Sequence, residues 1–511
     1  MHASSPPPGP LTASLFVEAL RAHAGKLVAG GLILHALLWT FALAISEPTP
    51  DPKIALGLAL GREWPLGYPG MPVLAPWLLQ AVYSVVPSVF VMKALGPIAV
   101  ALSGWFVFLL ARRMIGERHG ALATLVMVGV TPVAFPVGAL DSAVVQMPLV
   151  AGMVLAWWCA TREGSRIGWL MFGLTAALCF YAGGQGLAVL AVLLVITVSG
   201  SGKAAVRRYQ AQGPMIAALI IFVLAAAPRL YWLATHGFTG LYENPHAGFE
   251  TALVMKSYEA ALGALAGHLG FILLIAVATP LLKASSVTVS FTRPSLLGFS
   301  LVAGIVLAAV PFALVALVTF ALGIDTTLDA FASLLLYSGL LALLLAGETV
   351  HICRQKLALV IATILLVLPP VLIAGLNFAA PSLGRGLLTN WPAASAAQAM
   401  TDAFKSRAEK PLHVLIGPPL EASEIALMSA DRPHIFPNAD RAVAPWIKDG
   451  TLAKEGAVVF WRLSGSDTAP PASLAAALPP FTPEAPLSLQ WQMPGSIAPV
   501  RIGWAIILPQ K

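Results

Sequence analysis

The sequence predicts a mainly α, polytopic membrane protein with about eleven transmembrane helices and a small C-terminal α/β domain. Three observations carry this. Of 511 residues, 58% are hydrophobic and only 10% are charged, far more apolar surface than a soluble fold can bury. Apolar runs repeatedly approach the roughly twenty residues that cross a bilayer. From Asn390 onward these runs stop, and short helix-like and strand-like stretches alternate instead.

Residues 1–26 are expected to be a cytoplasmic segment, with a Pro-rich start (Ser4 to Pro10) and a short amphipathic helix from Ser14 to Lys26. The expected spans are Leu27–Ser46, Phe90–Ala111, Gly120–Gly138, Ser142–Ala160, Gly168–Ala182 and Gly186–Ser199, followed by Met215–Leu233, Leu262–Leu282, Leu297–Gly323, Ala330–Gly347 and Leu357–Leu376. They form a membrane domain over 27–376 that includes a large first outer loop, 47–87. The fifth and sixth spans are short and meet at Gly183-Gly184-Gln185-Gly186, a corner that neighbouring protein must screen from lipid.

Residues 377–511 are expected to form an exported α/β domain, long enough for its own core. Its elements are a helix over Ala393–Arg407, a strand at His413–Ile416, a helix over Glu421–Ala430, a stretch at Pro433–Phe436, a strand at Ala457–Trp461 and a last strand near Gly503–Leu508.

The net charge of +7 is a topology signal and gives no reason to invoke nucleic acid. Alternating the spans collects Arg21, Lys26, Arg112, Arg113, Arg118, Arg162, Arg166, Lys203, Arg207, Arg208, Lys283, Arg293, Arg354 and Lys356 on one side. Only Lys53, Arg62, Lys93, Arg229 and Lys256 fall on the other. Basic loops face the cytoplasm, so the first outer loop and the tail are expected to face the periplasm or cell exterior. Cys159, Cys179 and Cys353 lie in or beside spans and read as apolar filler. No His-x-x-x-His or paired-Cys spacing suggests a metal, and Ser199-Gly-Ser-Gly-Lys203 lacks the spacing of a phosphate loop. His35 and His268 lie inside spans and are expected to pair with neighbouring helices. Asp325 and Asp329 border a short loop as helix caps.

Two carboxylates stand out, each where an apolar stretch leaves the membrane on the outer side. Asp51 precedes Pro52, a spacing that suits an N-cap with proline at the first helical position. Asp141 sits at the corner between the third and fourth spans. A charged acid beside a membrane end is costly and marks chemistry or a substrate path more often than an ordinary surface acid does.

An acid just beyond the first span is followed about fifteen residues later by Gly67-Tyr68-Pro69. Then come Phe106 to Gly116 with Arg112-Arg113, Ala139-Leu140-Asp141-Ser142-Ala143, and Pro228-Arg229 through Trp232 to His236-Gly237. In the tail stand Asp431-Arg432-Pro433, Pro445-Trp446-Ile447 and Gly456-Ala457-Val458. This ordered series resembles the glycosyltransferase C superfamily, and within it the bacterial family 39, dolichyl-phosphate-mannose protein mannosyltransferase-like enzymes. Two features depart from the pattern. Relatives often carry two adjacent acids in the first loop, where here Glu47 lies four residues before Asp51. They often place a lysine in the corner after the fifth helix, where here Gly183-Gly184-Gln185 stands.

The resemblance implies a sugar donor joined through phosphate to a polyprenyl lipid, and a lipid, glycan or protein acceptor. It implies no required cofactor and leaves a divalent metal open. A lipid phosphate is already a good leaving group, so the enzyme needs a carboxylate to deprotonate the acceptor hydroxyl and a cation to meet the growing phosphate charge. Asp51 is expected as the base and Asp141 as the group that orients the acceptor, with inversion at the anomeric carbon. Arg229 and Arg62 are the expected phosphate partners, with Lys53 as a substitute. Glu47, Tyr68, His236, Tyr242 and Glu243 complete the expected substrate contacts, and His246 shares the loop of the last three. The alternatives are a lipid or glycan transporter, which the short fifth and sixth spans would suit, and an inactive homologue acting as an assembly partner.

Overall fold

The computed structural model describes residues 14–136, 138–199, 202–204, 208–209, 211–237, 251–280, 288–296, 298–322, 327–463 and 468–510. Tyr242, Glu243, His246, Asp325 and the Pro-rich start lie outside these residues. The chain is a multi-pass membrane protein. Among the described residues seven helices are long and apolar enough to span a bilayer, so the sequence-based figure of eleven is not met by full-length spans there. The difference lies in four segments.

The fifth and sixth expected spans are the short helices α8 (Arg166–Ala182) and α9 (Gln185–Val198). The third is broken into α5 (Glu117–Leu125), a 3-10 turn at Val126–Gly129 and the single turn α6 (Thr131–Ala134). A Cβ at Gly129 would lie 2.4 Å from the Phe271 nitrogen, so the bare glycine backbone is what lets that neighbour approach. Thr131 then donates its backbone N–H to the Gly267 carbonyl, which satisfies a polar group released by the break. The tenth span is likewise split, into 3-10 turns at Leu328–Phe331 and Leu335–Tyr337 and a helix at Ser338–Leu345.

The first span and the amphipathic segment before it are one helix, α1 (Leu15–Ser46), bent at His23. It packs against α4 (Val89–Ile115), α5 and the helix Gln355–Ala379, and from α4 a row of helices runs through α7 (Ser142–Arg162) and α8 to the helix Gln212–Thr235. His35 Nε2 lies 2.7 Å from the Val133 carbonyl and His268 Nε2 lies 2.8 Å from Ser338 Oγ, so both intramembrane histidines pair with neighbouring segments.

The first outer loop is folded. Asp51 caps α2 (Pro52–Gly61) by accepting from the Lys53 N–H, with Pro52 at the first helical position, and α3 (Leu74–Val85) follows. The tail builds a five-stranded sheet ordered β4-β3-β5-β7-β6, from β3 (Val414–Gly417), β4 (His434–Pro437), β5 (Ala457–Arg462), β6 (Leu487–Leu489) and β7 (Val500–Ile507). β3 runs parallel to β4 and β5, while β7 is antiparallel to β5 and β6. The helix Pro419–Met428 makes the β3-to-β4 crossover, as a parallel pair requires.

Side chains alternate across this sheet. Leu415, Ile435, Val458, Phe460 and Trp504 join the core that continues into the membrane helices. Val414, Ile416, Phe436, Val459 and Trp461 form a second core on the other face. The Pro419–Met428 helix is thereby held against α2, and the sheet unit rests on the loop that carries Asp51.

Candidate active site

Asp51 and Asp141 are both helix N-caps, and each commits one oxygen to its own helix. Asp51 Oδ1 accepts from the Lys53 N–H at 2.8 Å, and Asp141 Oδ1 accepts from the Val144 N–H at 3.0 Å. Lys53 joins the two turns, its Nζ lying 2.7 Å from Asp141 Oδ2. Asp141 is only 7% exposed, so this ion pair is partly withdrawn from water and gains more than a surface pair would. Among the described residues no hydrogen bond reaches Asp51 Oδ2.

A second pair stands beside the first. Lys93, buried in the first turn of α4, donates to the Leu43 carbonyl at 3.2 Å and to the Glu47 carbonyl, and its Nζ lies 4.0 Å from Glu47 Oε2. It thus caps the C-terminal end of α1, where carbonyls have no partner in their own helix and a cation is favoured. The segment between the pairs is pinned from the tail: Thr49 donates its N–H to the Thr389 carbonyl at 2.9 Å and its hydroxyl to the Trp391 carbonyl at 3.0 Å.

Burial raises the Asp51 carboxyl above the usual aspartate range. The Lys53 N–H and the charges of Lys53 and Lys93 oppose that rise, and Asp141 adds to it. Burial likewise pushes Glu47 up to about 7 against the pull of Lys93.

The tail contributes a further acid. Glu424, on the Pro419–Met428 helix, is 0% exposed and neither of its oxygens has a hydrogen-bond partner among the described residues. Burial, with the negative fields of Glu421 and Asp51, pushes it up to about 9, and Arg462 pulls the other way. Glu421 itself is paired with Arg462.

Of the residues expected from the sequence, Asp51, Asp141, Lys53 and Glu47 come together. Arg62 does not join them. It caps the opposite end of α2, roughly 16 Å away by the helical rise, and donates to the Arg432 carbonyl. Beside it Glu63 pairs with His434, and Tyr68 stacks on Trp446 with ring centres 6.5 Å apart. These contacts dock the sheet unit on the loop. Burial and the nearby Asp440 push the Tyr68 hydroxyl up to about 12.

Arg229 is also placed differently from the expectation. Its side chain is 0% exposed, and it donates to the Phe180 carbonyl at 3.0 Å and the Leu66 carbonyl at 2.9 Å while lying over the Trp232 ring. Gly67 allows this, since a Cβ there would lie 2.0 Å from the Trp232 ring. The guanidinium ties the first outer loop to the end of α8. Arg229→Lys, which cannot span both carbonyls, is expected to cost on the order of 3 kcal/mol and to lower Tm by several degrees in detergent; an unchanged Tm would remove the tie. His236 stacks on Trp232 with ring centres 4.2 Å apart and remains exposed.

Lys93 and Glu424 were missed as site residues. Lys93 carried one signal, a lysine placed inside the start of an apolar helix. Glu424 carried another: Glu421 and Glu424 stand three residues apart in the mostly apolar stretch Pro419 to Met428.

No protein-family model and no curated protein matches this sequence, but 14 solved chains match its structure. ArnT from Cupriavidus metallidurans bound to undecaprenyl phosphate superposes with a TM-score of 0.59 at 12% identity, covering 95% of this chain and 99% of that one. Its apo state gives 0.50 at 14% identity, with the same coverage. This chain has an ArnT-like fold. An oligosaccharyltransferase from Archaeoglobus fulgidus, 14% identical, also matches, with a TM-score of 0.40 over 84% of this chain and 68% of that one. In the chain described here, the acid pair lies at the membrane end capped by the sheet unit.

Proposed function

We propose that the protein is an integral membrane glycosyltransferase that moves a sugar from a polyprenyl-phosphate-linked donor to a hydroxyl of a lipid, glycan or protein acceptor. The observation that carries this is the convergence of Asp51 and Asp141 from two separate turns on Lys53, with one oxygen of Asp51 uncommitted among the described residues. The undecaprenyl phosphate bound by ArnT supports the class of donor. An apolar groove of about 550 Å³ lined by Leu74, Phe106, Val145, Leu149 and Leu178 starts one helical turn from Asp141 and suits an isoprenoid chain.

In this reading Asp51 takes the acceptor proton as the acceptor oxygen attacks the anomeric carbon. The bond from that carbon to the phosphate oxygen breaks in the same displacement, so configuration inverts and the lipid phosphate leaves as an anion. Asp141 holds Lys53 and orients the acceptor. Lys53, whose side chain is 44% exposed, meets the departing phosphate, and Lys93 holds Glu47 and the end of α1 in place. The basic-loop bias orients this site toward the periplasm.

Mass-spectrometric comparison of envelope lipids and glycans with and without the protein tests the reading. The expected result is the loss of one sugar from one acceptor. Identical profiles under conditions in which the protein is made would remove the assignment.

A further inference from the structure

At the far ends of α1 and α4 from the acid pair lies a pocket of about 250 Å³, walled by α1, the α4–α5 turn and the end of β1 (Val289–Thr292), a strand that pairs antiparallel with the distant β2 (Thr349–Ile352). Arg21, Glu117, Arg118, His119 and Arg293 line it. The bend of α1 at His23 is held here: Arg118 donates to the Arg21 carbonyl at 3.3 Å, and Glu117 Oε1 accepts from the Gly25 N–H at 3.3 Å. The β1–β2 ribbon closes the pocket as Arg293 gives its backbone N–H to the Glu348 carbonyl at 3.0 Å.

Two side chains in this wall are buried with polar atoms unused. Arg293 is 6% exposed; its Nε has no partner among the described residues, and its Nη1 reaches only the Pro294 carbonyl, at 3.5 Å. His119 is 2% exposed, and its Nε2 has no partner among the described residues. Burying a guanidinium with so little compensation is costly unless an anion completes it. The protein's own acids do so only in part. Glu18 is taken by Arg21 at 2.8 Å, Glu117 is engaged by Gly25, and Glu348 faces Arg293 from the exposed end of the β1–β2 ribbon.

We propose that this pocket binds a phosphate-class oxyanion, carried on an anionic lipid headgroup or free in solution, which clamps the bend of α1, the α4–α5 turn and the β1–β2 ribbon together. Arginine's planar fork matches two oxygens of such a group, and the volume holds a tetrahedral anion with a few waters. The site is separate from the acid pair and does not depend on the proposed transfer reaction.

The test uses the full-length protein purified in neutral detergent, in a Lys53→Gln background so that anion binding near Asp141 does not contribute. Inorganic phosphate is titrated at constant ionic strength against chloride, with Tm as readout, because a ligand of the folded state raises Tm saturably. The expected result is a saturable rise whose midpoint shifts at least tenfold in Arg293→Gln and in Arg118→Gln. The second variant, at an exposed position, serves if the first does not fold. Nanodiscs then separate the sources. A higher Tm in phosphatidylglycerol than in phosphatidylcholine, with no further effect of phosphate, identifies a headgroup; equal Tm values with phosphate still active identify a free anion. No saturable rise in detergent together with equal Tm values in both lipids overturns the proposal, as does a response unchanged in both variants.

Discussion

Asp51→Asn is expected to lower the transfer rate by about 10² to 10⁴, the usual worth of a positioned base, while the protein stays folded and still binds donor. Asparagine is as good an N-cap as aspartate, so the Asn variant keeps α2 in place and removes only the proton acceptor. Asp51→Ala would lose the cap as well, at about 1 kcal/mol, which makes asparagine the cleaner probe. Full activity in Asp51→Asn would leave Asp51 as a cap alone and turn attention to Glu47. The pH dependence follows from the same geometry. Because burial raises the Asp51 carboxyl, the acid limb of the rate profile should lie above the ordinary aspartate range. Lys53→Gln, which removes a charge that favours the ionised form, should move that limb further up.

Glu424→Gln is expected to stabilise the protein at neutral and mildly alkaline pH and to flatten its stability profile. Burial pushes Glu424 up from the ordinary glutamate value of 4.5 to about 9, so between those values the folded state holds a proton that the unfolded state releases. A raised carboxyl pKa means stability that is complete below pH 4.5 and declines as pH rises toward 9. Each pH unit in that window costs at most about 1.4 kcal/mol. Glutamine keeps the shape without the titration. Tm measured from pH 5 to 9 should therefore fall in the wild type and stay nearly level in the variant; parallel profiles would contradict a buried, protonated Glu424. The same proton matters to the neighbouring site, because an ionised Glu424 would raise Asp51 further and weaken it as a carboxylate at a given pH.

Local signals made much of this architecture readable. Asp51-Pro52 announced the start of α2, the apolar stretches at His413–Ile416 and Ala457–Trp461 announced two strands of the sheet, and Gly183-Gly184 marked the α8–α9 corner. What could not be read depended on distant partners. Hydropathy does not reveal that Gly267 will accept from Thr131 and so permit a broken third span. Lys53 and Asp141 are 88 positions apart, and nothing near either one announces the pair. Arg229 was recognisable as a cation at a membrane end, but the approach of Gly67 to Trp232 decides that it points under the loop, toward Leu66 and Phe180. Arg62 turns toward the sheet unit because the docking of Tyr68, Glu63 and α2 on that unit is a tertiary event.

The most direct test of the central claim follows both halves of the donor. Purified protein in nanodiscs is given a polyprenyl-phosphate sugar labelled separately in the sugar and in the phosphorus, together with an envelope extract as acceptor. The expected result is that sugar label passes to a new product while phosphorus label stays on the polyprenyl lipid, and that Asp51→Asn stops the separation. Recovery of both labels on intact donor, in either leaflet, would contradict a transferase and leave the acid pair without the chemistry assigned to it.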